Sequence, residues 1–217
     1  IAAFATGCEH GWIYLRGEYP RALKNLTSAV EAARSRVMLG ENILGSGFSF
    51  DITIFRGAGA YICGEETAIF NSIEGFRGEP RNKPPFPVEV GLFGKPTVVN
   101  NVETLLNVLP IIQSTGEKYA SWGSTGSKGK KLFCVSGAVK TPGVYEVTFG
   151  ATLRQLIELA GGLKTGSSIQ AILLGGAAGG FVGPEDLDLE LTIEAARAAG
   201  TTLGSGVIMV LDQTVDM

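Results

Sequence analysis

The chain has 217 residues, a formal net charge of −3 and 45% hydrophobic residues. The near-neutral charge argues against a nucleic-acid partner or an anionic membrane surface, and the apolar content suffices for one or two packed domains. No apolar run approaches the roughly 20 residues that span a bilayer, and no signal peptide is visible, so we expect a cytoplasmic location without direct membrane insertion. Because the chain begins with Ile1, we expect it to be a piece of a longer protein.

The N-terminal part has the pattern of a β-α-β unit. Gly11–Arg16 is typical of a short strand, and Glu18–Met38 has the apolar spacing of an amphipathic helix. Pro20 suits the first turn of that helix, and Gly40 is expected to end it. Phe50–Phe55 alternates polar and apolar side chains, which predicts a second strand. A unit of this order places its two strands parallel in one sheet.

A glycine-rich turn follows the second predicted strand and leads into the helix-like sequence EETAIFNSIEG. Gly57, Gly59 and Gly64 permit positive φ angles and let backbone come close to a ligand. The dinucleotide-binding fingerprint requires a third glycine where this chain has Ile62. The turn therefore predicts a ligand site of a different kind.

Two carboxylates, Glu65 and Glu66, stand where this helix begins. Acidic side chains there interact favourably with the helix dipole. They would repel a phosphate that docked on the backbone N–H groups at this helix start. The turn is thus better suited to ligand hydroxyls or a ring than to a pyrophosphate, although both acids could serve only to stabilise the helix start.

The glycines and prolines of Gly75–Gly94 predict a long irregular loop. Arg81 and Lys83 lie among prolines, and Phe86 lies between two of them. One interpretation is a solvated basic loop with Phe86 in the core. The other is a stiff platform on which Phe86 stacks against a planar ligand while Lys83 meets a polar group.

Val98–Ile112 begins with two asparagines and continues with helical spacing of apolar residues. Asn100 or Asn101 could cap this helix, with Glu103 or Thr104 behind it. Adjacent amides can also hydrogen-bond the carbonyls and nitrogens of a flavin ring. Both roles can hold at once, one for each asparagine.

The second half has the pattern of a separate α+β domain. Ala120–Lys130 is rich in Gly, Ser and Lys and predicts a linker. Beyond it, strand and helix patterns alternate with turn signals, and Thr152 is expected to cap a helix that stops at Gly161 and Gly162. The predicted elements are strands at Lys131–Ser136, Val144–Val147, Ile169–Leu174 and Val207–Leu211 and helices at TLRQLIELA and near Thr192–Ala199.

The three cysteines, Cys8, Cys63 and Cys134, are too far apart for a Cys-x-x-Cys metal motif. Unpatterned thiols suit a reducing compartment and are expected to be small buried apolar groups. His10 is the only histidine, and we expect a structural role for it.

Four stretches carry a resemblance to a known family: GAGAYICGEETA, PRNKPPFP, GLFGKPT and VNNVET. Together they resemble the NADH- and flavin-binding subunit of respiratory complex I and the diaphorase subunits of NAD-linked hydrogenases and formate dehydrogenases. SGAVKTPGVYEV with ELAGGL resembles the soluble ligand-binding β-grasp domain. The resemblance implies a partial Rossmann-like α/β domain for flavin and NADH at residues 1–120, a linker at 121–130 and a β-grasp domain at 131–217.

The resemblance also implies which residues contact the cofactors. The family's nucleotide-contacting acid corresponds to Glu66, and its flavin contacts fall on the two asparagines and the threonine that follows them. No side chain is expected to act as a general acid or base, because a hydride moves directly. The implied cofactor-binding residues are Tyr61, Gly64, Glu65, Glu66, Lys83, Phe86, Val99, Asn100, Asn101 and Thr104, with no metal ligand among them.

The implied activity is hydride transfer from NADH to FMN, followed by electron transfer to iron–sulfur clusters. The family's earlier glycine-rich flavin loop and its later domain with a 4Fe-4S cluster have no counterpart in this sequence. We therefore expect the isolated chain to hold no cluster, to bind FMN poorly and to be inactive. The implied partners are NADH and other subunits of an electron-transfer complex, including a thioredoxin-like iron–sulfur subunit, which would make the protein peripheral to the inner membrane.

Two alternatives stay open on the sequence. The chain could belong to the diaphorase of an NAD(P)-linked hydrogenase or formate dehydrogenase, because these share the site motifs. It could instead be a non-catalytic module in which a β-grasp domain serves for binding or docking.

Overall fold

The computed structural model describes residues 1–217 and divides into two compact units, Ile1–Leu105 and Leu106–Met217. The predicted linker at 121–130 contains neither helix nor strand before Lys130, and the predicted domain boundaries stay a prediction. None of the helices combines the length and apolar character needed to cross a membrane.

The first unit is built on the predicted β-α-β arrangement. After a short helix α1 (Ala2–Thr6), strand β1 (His10–Leu15), helix α2 (Pro20–Ser35) and strand β2 (Asp51–Arg56) follow in order. The two strands pair in parallel, with His10 opposite Asp51 and Leu15 opposite Arg56. Pro20 occupies the first helical turn as predicted. Proline is tolerated there because a backbone N–H in the first turn has no acceptor within the helix.

The end of α2 differs from the prediction. The helix stops at Ser35 rather than near Gly40, and Val37 takes a positive φ of 56°. Arg34 in the last turn donates to Asp51 at 3.0 Å and to the Ile52 carbonyl at 2.9 Å, which ties the helix end to β2. Gly40 instead forms an isolated antiparallel bridge with Phe50.

Beyond β2 the chain forms a 3-10 turn at Tyr61–Gly64, helix α3 (Glu66–Ile73) and a second 3-10 turn at Leu92–Gly94. The buried apolar side chains here belong to α3, to these two turns and to Pro87. Between them, residues 74–91 form no helix or strand, as the glycines and prolines predicted.

Helix α4 (Val102–Ser114) contains Pro110 and carries no buried residue. A short helix α5 (Gly116–Ala120) follows it, and the sequence pattern did not predict α5. Thr115 caps α5 through a hydrogen bond from the Lys118 N–H, which explains why a helix forms in so polar a segment.

The second unit is a five-stranded mixed sheet in the order β4-β3-β7-β5-β6. The central pair, β3 and β7, is parallel, and every other neighbouring pair is antiparallel. This sheet confirms the mixed α/β fold class. Its elements are β3 (Lys130–Gly137), β4 (Gly143–Thr148), helix α6 (Leu153–Leu159), β5 (Ile169–Leu174), β6 (Gly180–Val182), helix α7 (Ile193–Ala198) and β7 (Val207–Asp212).

Helix α6 lies on one face of this sheet and completes the core. Thr152 caps it as predicted, and the Gln155 side chain accepts a hydrogen bond from the Thr152 N–H. Leu153 and Leu156 have no exposed surface and join one contiguous cluster with sheet residues such as Phe133. Burying these side chains is the main stabilising contribution to the unit.

Candidate functional site

The glycine-rich turn after β2 packs closely against Tyr14. A Cβ atom at Gly57 would collide with the Tyr14 ring, so only glycine allows this approach. The Tyr14 hydroxyl lies 2.9 Å from the Ser72 Oγ, and burial raises the pKa of Tyr14. Gly59 has a φ of +90°, whereas a Cβ at Gly64 would meet nothing within 4 Å. The space beside Gly64 is therefore open to a ligand.

Glu65 caps helix α3. Its Oε2 accepts hydrogen bonds from the Thr67 N–H at 2.9 Å, the Ala68 N–H at 3.0 Å and the Thr67 hydroxyl at 2.5 Å. Burial opposes ionisation, but these hydrogen bonds and one from Lys83 outweigh it and hold the pKa of Glu65 below its ordinary value. Glu65 thus has a structural role, and its predicted ligand contact stays a prediction.

Lys83 joins the two acids across the loop. Its Nζ lies 2.5 Å from Glu66 Oε1 and 3.1 Å from Glu65 Oε1. These hydrogen bonds, the one to Glu66 first, raise the pKa of Lys83. The three side chains keep 31 to 36% of their surface exposed. The cluster therefore carries one net negative charge, where the sequence suggested two unpaired ones.

Arg81 fastens the loop to α3, a role that no sequence pattern indicated. Its backbone N–H donates to the Thr67 hydroxyl at 2.7 Å. Its guanidinium donates to Asn71 at 2.9 Å and to Glu74 at 2.5 Å and lies 5.7 Å from the centre of the Phe70 ring. Because these contacts fix the backbone two residues before Lys83, Arg81 positions that lysine over the acids.

Several aromatic rings of this region are exposed and remain available for stacking. Tyr61 in the 3-10 turn is 62% exposed, and Phe86 in the loop is 52% exposed. The interpretation of Phe86 as a core residue is therefore wrong. Phe93 is also exposed, and its ring lies 5.8 Å from that of Trp12. Exposed rings on a stiff loop suit a planar ligand.

The structure assigns the helix-start role to one of the two asparagines before α4. The Asn101 Oδ1 accepts a hydrogen bond from the Glu103 N–H at 2.7 Å, so Asn101 serves the helix start. The Asn100 amide is exposed and makes no hydrogen bond within the chain. Val99 is half-buried and Thr104 is exposed. No hydrogen bond links Asn100 or Thr104 to the Glu65–Glu66–Lys83 cluster.

The arrangement suits an organic ligand rather than a metal ion. No group of three or more His, Cys, Asp or Glu side chains is placed to hold a metal, and all three cysteines are free. Cys63 is buried, whereas Cys8 is half-buried and Cys134 is exposed, so the prediction of three buried thiols holds only for Cys63. Open space, exposed rings and a carboxylate pair are groups that a ligand with hydroxyls and a flat ring requires.

Family models match both halves of the chain. Residues 1–110 match the Nuo51 FMN-binding domain, and residues 132–182 match the SLBB domain. These matches define the class as a chain with an FMN-binding domain of the complex I type followed by an SLBB domain. The chain belongs to the Nuo51 FMN-binding family, and the resemblance seen in the sequence motifs is confirmed.

Individual relatives agree with this assignment. The chain is 44% identical to the HndC component of the NADP-reducing hydrogenase of Solidesulfovibrio fructosivorans and 45% identical to the F component of the NADH-quinone oxidoreductase of Escherichia coli K12. These matches cover 98% and 100% of the chain but 44% and 49% of those proteins, so the chain spans about half their length. A crystal structure of an NAD+-reducing [NiFe]-hydrogenase matches with a TM-score of 0.86 and 38% identity, over 99% of this chain and 35% of that one.

Proposed function

We propose that this chain supplies part of the FMN and NADH site of an oxidoreductase that passes electrons from NADH through FMN to iron–sulfur clusters. The observation that carries the proposal is the Glu65–Glu66–Lys83 cluster, positioned beside an open glycine turn in a region with exposed aromatic rings. The chain's membership of the Nuo51 FMN-binding family supports the same conclusion. The chain's own residues supply position and electrostatics, while bound FMN supplies the redox chemistry.

Each exposed group has a distinct task in this proposal. Tyr61 and Phe86 hold planar rings by stacking. Glu66 accepts hydrogen bonds from ribose hydroxyls, and Lys83 keeps that carboxylate oriented. The Asn100 amide hydrogen-bonds the edge of the flavin, with Val99 and Thr104 beside it. No side chain is assigned a proton transfer, because bound FMN would accept a hydride directly from NADH.

Glu65 and Asn101 act mainly by fixing the backbone. Glu65 orders the first turn of α3, and Asn101 orders the first turn of α4. Both turns carry residues that the proposal assigns to ligand contact. A variant at either position is expected to weaken binding through local disorder and to lower stability as well.

A direct test replaces Asn100 with alanine in the native protein that carries this sequence. The loss of one or two hydrogen bonds to the flavin should weaken FMN retention about five- to tenfold. FMN content after dialysis, measured by flavin absorbance, gives the result. Asn25→Ala is the matched control, because Asn25 is an exposed residue of α2. Equal FMN retention in the two variants would contradict the assignment of Asn100.

A second candidate is the diaphorase of a hydrogenase. The fold match to a hydrogenase favours it, whereas the identities to the HndC hydrogenase component and to the NADH-quinone oxidoreductase component are nearly equal and do not separate the two candidates. In both candidates the chain works beside other electron-transfer subunits, including the expected thioredoxin-like iron–sulfur subunit. Purification of the native assembly distinguishes them, since nickel together with hydrogen-dependent NAD(P)+ reduction identifies a hydrogenase and quinone-linked NADH oxidation identifies complex I.

A further inference from the structure

The second unit contains a cavity of about 360 Å³ beside helix α7 and the segment that follows it. Two cationic side chains, Lys131 and Arg197, line the cavity, and no acidic residue does. Three apolar residues, Phe149, Ile193 and Leu203, form much of the remaining wall. A lining whose charged groups are all positive concentrates anions, and an apolar wall favours a ligand with a carbon body.

The two cations are placed by the fold rather than scattered on the surface. Lys131 shares a face of β3 with the buried Phe133 and Val135, because alternate residues of a strand point the same way. Its side chain is therefore directed toward the core side of the sheet, where the cavity lies. Arg197 lies in the last turn of α7, is exposed and forms no ion pair.

One of the two threonine hydroxyls of the lining adds a directional contact. The Thr202 Oγ1 accepts a hydrogen bond from the Gly204 N–H at 3.1 Å, so its own hydrogen remains available to donate. The Thr201 Oγ1 is buried without a hydrogen-bond partner, although Thr201 also lines the cavity. A buried hydroxyl normally has a partner, but this one has almost no accessible surface, so Thr202 is the hydroxyl that a ligand reaches. Leu203 is buried and anchors the segment in the core, which fixes both hydroxyls.

We propose that this cavity binds a small organic anion, a carboxylate or phosphate ester on a ring or short alkyl body. Arg197 and Lys131 meet the anionic group, Thr202 donates a hydrogen bond to it, and Phe149 and Ile193 contact the carbon body. A guanidinium pairs with two oxygens of such a group at once. The site lies in the second unit and does not depend on the function proposed for the first.

Phenyl phosphate is a suitable probe because it combines a phosphate with one ring. Titration into the full 217-residue chain, followed by amide chemical shifts, should give saturable changes at residues 201–204. Inorganic phosphate, which lacks the ring, should bind about tenfold more weakly, as expected for the loss of an apolar contact worth about 1.4 kcal/mol.

Arg197→Gln should weaken phenyl phosphate binding about tenfold, because it removes the paired hydrogen bonds of the guanidinium. Lys140→Gln, at an exposed cation outside the cavity lining, should leave binding unchanged. Arg197 is exposed, so the variant should keep the dispersed amide spectrum of the folded chain. Non-saturable shifts, equal binding of inorganic and phenyl phosphate, or unchanged binding in Arg197→Gln would each overturn the proposal.

Discussion

The two units of the chain are stabilised in different ways. In the second unit, one contiguous apolar cluster includes residues with no exposed surface from both the sheet and α6. In the first unit, buried side chains are few and centre on Ala68 and Phe70. Charged and polar contacts made by Arg34, Arg81 and Lys83 hold the loops there.

The difference in packing accounts for the exposed polar and aromatic groups of the first unit. A tightly packed core leaves little room for exposed rings and carboxylates, since cores exclude polar groups that lack partners. The first unit keeps Tyr61, Phe86 and Asn100 accessible because hydrogen bonds, rather than close packing, fix its backbone. We therefore expect the largest loss of stability from core substitutions in the second unit and smaller, local losses from replacing charged groups in either unit.

The largest expected effect comes from opening the core of the second unit. Leu156→Ala should lower its free energy of unfolding by about 2–5 kcal/mol, because Leu156 has no exposed surface and its loss leaves a cavity. Urea denaturation followed by circular dichroism measures the change. Leu44→Ala in the first unit is the control, since Leu44 is 72% exposed and a change within about 0.5 kcal/mol is expected. Similar losses in both variants would remove the contrast between the units.

A smaller loss of stability is expected when Arg81, which fastens the loop to α3, is replaced. Arg81→Met should destabilise the α3 region by about 1–3 kcal/mol, because Asn71 and Glu74 lose a charged partner. Faster hydrogen exchange at the α3 amides would report this local loss. Arg77→Met is the matched control, since Arg77 is 88% exposed and pairs only with the exposed Glu79. Unchanged exchange in Arg81→Met would show that the loop is held by other contacts.

The stability of the second unit should depend on pH through Glu194. Hydrogen bonds from Ser124 and Ser127 lower the pKa of Glu194 from 4.5 to about 2. A depressed folded-state pKa contributes stability that is fully present above the ordinary pKa of 4.5 and is lost as the pH falls toward 2. Glu194→Gln should therefore reduce the fall in urea midpoint between about pH 5 and about pH 2.5. An identical pH dependence in wild type and variant would contradict this role of Glu194.

Much of the fold could be predicted because local patterns and the structure agree. The apolar run of Ile169–Leu174 and the cap at Thr152 each predicted an element that the structure confirms. The predicted end of α2 was wrong, since contacts from Arg34 to β2 come from distant sequence and override the local glycine signal. The short strand β6 was not predicted, because three residues carry too little periodicity.

The candidate site could be predicted only in part, for a similar reason. Motifs identified the acids, the loop lysine and the asparagines, and the structure confirms that Glu65 and Glu66 begin a helix. The ion pairs of Lys83 and the anchoring role of Arg81 depend on how the loop folds back over α3. Such long-range contacts leave no periodic signal in the sequence. The net negative charge at Glu65 and Glu66 was therefore overestimated from the sequence.

The most direct test of the central claim uses the charge cluster in the native protein that carries this sequence. If Glu66 faces the nucleotide ribose, its charge disfavours the extra phosphate of NADPH. Because Lys83 offsets part of that charge and the cluster is partly exposed, the effect should be about 1 kcal/mol, or roughly fivefold. Glu66→Gln should raise the ratio of kcat/KM for NADPH to that for NADH by this factor, Lys83→Gln should lower the ratio, and FMN content should stay constant. An unchanged ratio in both variants would contradict the account and leave the cluster with a structural role alone.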